Sequence, residues 1–317
     1  MPNYNGVWSL STQFQYAATW QADNLPPVTA LFAGGVTTGN SPHNVIQTIG
    51  VNSLGNASDF GDLSAANNAL ASVASKTRAV FGGGNNGNSV SFNVMEYVTI
   101  LTSGNTTDFG DLTLQRFNLG GAGNNTRGIF FAGWNSQADA IQNVIDYITI
   151  ASTGDATDFG DTTAGWYRLA GLASSTRAVV GSGTAAANPT NVMEYVTISS
   201  TGNSQDFGDL TAARRFATAA SSPTRGLFIG GDQSNVIDYI TIASTGNATD
   251  FGDTGGTNAS PNATSSSLRA IHTRAGAYSE IIEFVTIATT GNSQDFGDLA
   301  TEFNDGTGCS NVHGGLG

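Results

Sequence analysis

The tetrapeptide Asp-Phe-Gly-Asp occurs six times in this chain, beginning at Asp59, Asp108, Asp158, Asp206, Asp250 and Asp295, at intervals of 49, 50, 48, 44 and 45 residues. A unit of that length repeated in tandem has too little interior to bury its own apolar faces. Copies must stack on one another, and this period points to a propeller or another closed array. Each tetrapeptide follows an apolar phrase, best preserved as Asn143 to Ile150 and Asn235 to Ile242. Repetition this faithful reads as scaffold.

One unit divides into four strands. Phe216 to Ala220 is small and apolar, and Ser221-Ser222-Pro223-Thr224 is a turn. Arg225 to Ile229 is a short apolar run ended by Gly230-Gly231, as expected for a strand buried on both faces. Asn235 to Ile242 is rich in β-branched and aromatic residues, Ser244 to Asn247 signals a hairpin, and Ala248 to Asp253 carries the tetrapeptide. A four-stranded sheet of this kind has two apolar faces, so a neighbour must cover each. Radial stacking of six sheets meets that need and leaves only short edges.

The ends fit a closed ring. Val28 to Leu63 supplies three strands of a first unit, and Thr301 to Ser310 matches the missing one. The expected fold is an all-β, six-bladed β-propeller over residues 25–317, its four-stranded antiparallel blades closed by a C-terminal strand.

The unit resembles the kelch repeat. The double glycine of that repeat is matched by Gly34-Gly35, Gly82-Gly83 and Gly230-Gly231, and the later aromatic by Tyr97, Tyr147, Tyr195, Tyr239 and Phe284. Phe60, Phe109, Phe159, Phe207, Phe251 and Phe296 stand where kelch repeats usually carry tryptophan. The resemblance implies the fold and says little about activity, because kelch propellers include enzymes and binding modules.

Residues 1–24 belong to no unit. Val7, Leu10, Phe14 and Ala18 follow a helical spacing, and Trp8 and Trp20 add large apolar groups. The segment is expected to be a cap on the propeller or an arm that docks on a partner through Val7, Trp8, Leu10, Phe14 and Trp20. Asn5 to Leu10 with Gln13-Phe14 and Trp20 is similar to the opening of tail-associated virion proteins of tailed phages. Kelch-like proteins of marine phages are also similar in carrying Asp-Phe-Gly-Asp repeats. The resemblance implies a virion location and other virion structural proteins as partners.

Composition narrows the function. The net charge is −13, with 11 Lys and Arg against 24 Asp and Glu. A nucleic-acid binder needs a cationic footprint, so nucleic acid is not an expected partner. No apolar run approaches the roughly 18 residues of a membrane span, and the N-terminus lacks a secretory leader's basic start, so membrane insertion is not expected. One cysteine, Cys309, excludes an internal disulfide. Six Asn-X-Ser/Thr triplets, among them those at Asn56, Asn105 and Asn247, read as turn chemistry.

The repeated charges have two readings. The motif carboxylates Asp59 and Asp62, Asp108 and Asp111, Asp158 and Asp161, Asp206 and Asp209, Asp250 and Asp253, and Asp295 and Asp298 could ligate calcium. They lack a calcium loop's denser carboxylate series, so the expectation is structural. One aspartate of each pair caps a turn, and the other pairs with the arginine that opens a second strand (Arg78, Arg127, Arg177, Arg225 or Arg269), without metal or other cofactor. His43, His272 and His313 are scattered and lack an evident acid partner, so no enzymatic activity is expected.

Recognition is expected on one face. In a four-stranded meander, the loop after the second strand and the loop joining blades emerge together, and these loops vary in length and content. Turns on the opposite face recur with little change. Variable loops on a rigid frame are where binding usually sits, and Phe92, Trp134, Trp166, Tyr167 and Tyr278 lie in or beside them. Such aromatics suit a host-surface glycan or protein. A virion structural or adsorption protein is the expected function, and a soluble glycan-binding lectin is the alternative.

Overall fold

A computed structural model describes residues 28–87, 90–186, 188–258, 260–274 and 279–316. They form six antiparallel blades around a central axis, and the only helical element among the described residues is a 3-10 turn at Gly314–Leu316. Each blade has strands a to d from the axis outward. In blade 2 these are Ala71–Ala74, Arg78–Gly82, Val94–Thr99 and Thr107–Asp111. Blade 1 takes its strand a, Thr307–Ser310, from the C-terminal region. That strand pairs antiparallel with Thr29–Ala33, with Leu31 opposite Cys309, and closes the ring as the unit count predicts. The proposed arm, with Val7, Trp8, Leu10, Phe14 and Trp20, lies outside the described residues, as does Tyr278.

Side-chain size explains the radial order. Strands a must converge on the axis, and they are built from small residues, such as Gly120–Gly123 and Ala170–Ala173. Bulk is placed further out. Phe32, Phe81, Phe130, Phe131 and Phe228 are among the largest fully buried side chains, and all come from strands b. The core is therefore a series of apolar wedges between adjacent blades. One of them joins Phe109 and Met95 of blade 2 to Phe130 and Ile148 of blade 3.

The tetrapeptide has a local cause and a neighbour. In every blade the register of strands c and d shifts within it. Ile145 faces Gly160 and Asp146 faces Asp158, so Phe159 is the extra residue of a β-bulge. The bulge turns the phenylalanine into the core, where it meets the strand c aromatic edge-on, as in Tyr147–Phe159 at 5.9 Å. The same step presents backbone groups to the next blade. Gly154 N donates to Phe109 O at 2.7 Å, Ala156 N to Asp111 O at 2.8 Å, and Asp111 N to Asp155 Oδ1 at 3.0 Å. Equivalent triplets join all six seams, including blade 6 to blade 1 through Gly55, Ala57 and Asn56. Asn56, Asn105 and Asn247 are thus the acceptors of these cross-blade clips, in keeping with their reading as turn residues.

The expected pairing of motif aspartates with arginines is corrected. Among the described residues no ion pair joins them. Arg127 lies over the Tyr147 ring at 4.3 Å and donates through Nη1 to Ile198 O of blade 4 at 2.8 Å. Arg78, Arg177, Arg225 and Arg269 repeat both contacts, the last with Phe284 as its ring and with Val51 O and Asn52 O as acceptors. Strands b and d of one blade are about 10 Å apart, since strand c lies between them. Within a blade, an aromatic on strand c is therefore the nearer partner. Asp59, Asp108, Asp158, Asp206, Asp250 and Asp295 are exposed, and the turns are capped by the next blade's Asn or Asp instead.

Two variants separate these roles. Arg127→Met should lower stability by about 1–3 kcal/mol, the worth of a charge-assisted hydrogen bond with its ring contact. Asp158→Asn should change it by less than about 0.5 kcal/mol. Denaturant unfolding of both and of the double variant should show no coupling. A coupling above about 1 kcal/mol would restore the ion pair.

Candidate functional site

The strand c phrase holds a feature that sequence reasoning passed over. Gln47, Glu96, Asp146, Glu194, Asp238 and Glu283 occupy one position in the six blades, and all are buried. A buried carboxylate requires partners, and each finds them in the segment linking the preceding blade to its own. Asp146 accepts from Thr113 N at 3.1 Å and Thr113 Oγ1 at 2.7 Å, and Gln47 Oε1 accepts from Ala300 N and Thr301 N. Arg116 adds an ion pair to Asp146 at 2.8 Å, as Arg214 does to Asp238. The longer glutamates reach further. Glu96, Glu194 and Glu283 accept from Thr106, Ser204 and Ser293. This ring fixes the inter-blade connections, and with them the face that carries the variable loops.

At the axis, those connections narrow to a belt. Ala69, Asn118, Arg168, Phe216, Ser260 and Asp305, one from each connection, all have left-handed backbones with φ between 53° and 62°. Their peptides bond around the circle. Ala69 N donates to Asp305 O, Asn118 N to Ala69 O, Arg168 N to Asn118 O, Phe216 N to Arg168 O, and Asp305 N to Ser260 O. Left-handed conformations in residues with a Cβ are unfavourable and collect where surrounding structure demands them, often at functional sites. The belt and strands a line a cavity of about 120 Å³. At the opposite end, His313 Nε2 contacts Ala74 O at 2.9 Å, and Gly314 and Gly315 pack against the backbone of Ser222 and Gly123.

From the belt an aromatic and cationic stripe runs outward. Arg168 lies 4.2 Å from the Phe216 ring centroid and 4.9 Å from that of Tyr167. Tyr167 contacts Trp134 at 5.4 Å, and Arg215 pairs with Asp232 at 2.9 Å on the other flank. Burial lowers the Arg168 pKa, opposed by Tyr167, Asp305 and Asp232 and reinforced by Arg215. Burial raises the Asp305 carboxyl, opposed by its hydrogen bond with Ser260 and by Arg168.

The predicted recognition aromatics therefore divide. Trp134 and Tyr167 are brought together, half-buried, on the variable face. Phe92 is half-buried in blade 2, where its backbone joins Gly84 O and Arg116 N. Trp166 is corrected to a core residue. It is 2 % exposed and packs with Phe131, Phe159 and Leu169, because its side chain falls on the inward side of a segment that shows Tyr167 outward. Arg168 and Phe216 were missed. Their signal is that the belt position differs in all six units while the following strands stay small.

The loops beside the stripe are held in place. Ser91 Oγ and Ser136 Oγ lie 2.7 Å apart across blades 2 and 3, and Asn135 Oδ1 accepts from Gln137 N and Ala138 N. The twelve motif carboxylates lie on the outer strands, and no group of three or more His, Cys, Asp and Glu side chains converges among the described residues. No protein-family model and no curated protein sequence matches the chain.

Proposed function

We propose that this protein is a non-enzymatic recognition and assembly component of a virion of a tailed phage, with the variable face turned to the host surface. The observation that carries the recognition part is the stripe from Trp134 through Tyr167, Arg168 and Phe216. Half-buried aromatics that share an edge with a cation offer flat apolar area and directional charge, a combination suited to sugar rings and to protein anchors. The repeated residues support a binding role, since their groups hold blades together: the motif backbone in clips, the arginines in ring and carbonyl contacts, the acids in the connections. The virion part is supported by the similarity of the kelch-like repeat and of Asn5 to Trp20 to tail-associated phage proteins. That segment would dock on a neighbouring virion protein through Val7, Trp8, Leu10, Phe14 and Trp20.

The double variant Trp134→Ala/Tyr167→Ala should bind host cells or arrayed host glycans at least about tenfold more weakly, with the propeller still folded. Unchanged binding would remove the stripe from the recognition surface. A soluble glycan-binding lectin is the second reading, favoured by the same stripe. Finding the chain in purified particles, and losing it from them on deletion of residues 1–24, selects the virion component. Glycan binding by a chain absent from particles selects the lectin.

A further inference from the structure

The belt brings unlike groups to one place. Numbered around the ring, Arg168 belongs to the connection into blade 4 and Asp305 to that into blade 1, so the two stand on opposite sides of the axis. Asn118 and Phe216 flank Arg168, and Ser260 and Ala69 flank Asp305. Among the described residues the Arg168 guanidinium has no ion pair, and its Nε is buried without a hydrogen bond, as are those of Arg116, Arg214 and Arg274. The missing ion pair sets Arg168 apart, since Arg116 pairs with Asp146, Arg214 with Asp238, Arg215 with Asp232, and Arg274 with Glu283. In a chain with a net charge of −13, a guanidinium held against the Phe216 and Tyr167 rings without an ion pair, on a residue that lines the cavity, is placed to receive an anion.

The surroundings select the anion. A single free cation with Asp305 and Asp232 nearby suits one negative charge and disfavours a doubly charged phosphate. The planar fork of guanidinium matches a carboxylate. Five of the six belt amides are occupied by one another, and Asp305 shares a hydrogen bond with Ser260, so a ligand meets the side chain of Asn118 and the remaining hydrogen-bonding positions of Ser260 and Asp305, which suit hydroxyls. A cavity of about 120 Å³ limits the bound part to about one sugar ring.

We propose that the channel mouth binds a small acidic sugar, its carboxylate on Arg168 and its hydroxyls on Asn118, Ser260 and Asp305. The proposal rests on the reading of the variable face as a recognition surface and gives that face a ligand class. Asn118 and Arg168 act from left-handed backbone positions, which the ring of belt hydrogen bonds holds in place.

The test is calorimetric and ligand-observed NMR titration of the full chain with glucuronate, with glucose and acetate as controls. Glucuronate should bind saturably and at least about tenfold more tightly than either control, because only it offers both the carboxylate and the hydroxyls. Arg168→Asn should weaken glucuronate at least about tenfold. Asparagine adopts the left-handed conformation readily, so the belt should persist. Asn118→Asp places a carboxylate beside Arg168 at equal size, and it should weaken glucuronate similarly. Asp158→Asn, on an exposed outer strand remote from the axis, should leave it unchanged. The proposal is overturned by no saturable binding up to about 10 mM, by acetate binding as well as glucuronate, or by undiminished affinity in both belt variants. These results are independent of the host-binding test of Trp134 and Tyr167. Absent glucuronate binding, with host binding that falls in the Trp134→Ala/Tyr167→Ala variant, removes only the ligand class; saturable glucuronate binding, with host binding unchanged in that variant, removes the stripe and keeps the channel mouth as a binding site.

Discussion

Asp146→Ala is expected to destabilise the propeller by about 3–5 kcal/mol, the usual consequence of removing one member of a buried ion pair. Arg116 and Asp146 are both fully buried, with Nη2 and Oδ2 2.8 Å apart. Burial already lowers the Arg116 pKa, and Asp146 opposes that shift. Without the carboxylate, Arg116 keeps only carbonyl acceptors, Val144 O at 3.1 Å and Phe130 O at 3.4 Å, and Thr113 loses the acceptor of both its amide and its hydroxyl. The cost is therefore chiefly an unpaired buried cation, since Thr113 is exposed and its donors can turn to water. The charge-free double variant Arg116→Met/Asp146→Leu should recover much of the loss, since apolar groups of similar volume need no partner. Denaturant midpoints with unchanged slopes would measure both. A loss below about 1 kcal/mol for Asp146→Ala would show that water reaches this site and that the ring of strand c acids does not govern the connections.

The blade count, the order of strands and the closure by Thr307–Ser310 were legible because each depends on local pattern. Apolar runs, turn residues and a fixed period repeat six times, and three-plus-one strands in the terminal unit leave one way to close. Partner identity was less legible, because it depends on what lies one blade away. Arg127 and the motif aspartates recur together, yet recurrence measures only that every blade has the same neighbours. The arginine meets Tyr147 within its blade and Ile198 O in the next. Asp146 itself carried an unread signal. An acid at the same place in five of six units, inside a strand expected to be covered on both sides, requires buried donors. Trp166 is buried and its neighbour Tyr167 half-buried, a distinction that composition cannot make in an irregular connection. Arg168 was hidden for the opposite reason, since the belt position is defined by its backbone and not by a shared residue type.

Gly110→Ala should be of comparable severity, at about 3 kcal/mol or more, and its origin is separable. Gly110, the third residue of the blade 2 tetrapeptide, has φ 138°, and a Cβ there would stand 2.5 Å from the carbonyl carbon and oxygen of Gly154 in blade 3. That contact is backbone on both sides, so no rotamer can relieve it. Alanine must strain its own backbone, at about 1–3 kcal/mol, or push the turn away. Pushing it away breaks the clip formed by Gly154 N to Phe109 O, Ala156 N to Asp111 O and Asp111 N to Asp155 Oδ1. Gly154→Ala is the internal control. Its φ is 151°, equally unsuited to alanine, but nothing lies within 4 Å of the added carbon. The difference between the two variants therefore isolates inter-blade contact from backbone preference. Gly110→Ala should also speed hydrogen exchange at the Gly154 and Ala156 amides, while the equivalent amides Gly246 and Ala248, at the seam of blades 4 and 5, stay protected. Equal destabilisation by the two substitutions, or unchanged exchange at Gly154, would mean that the tetrapeptide glycine serves the bulge within its own blade and leaves the seam to the apolar wedge beneath it.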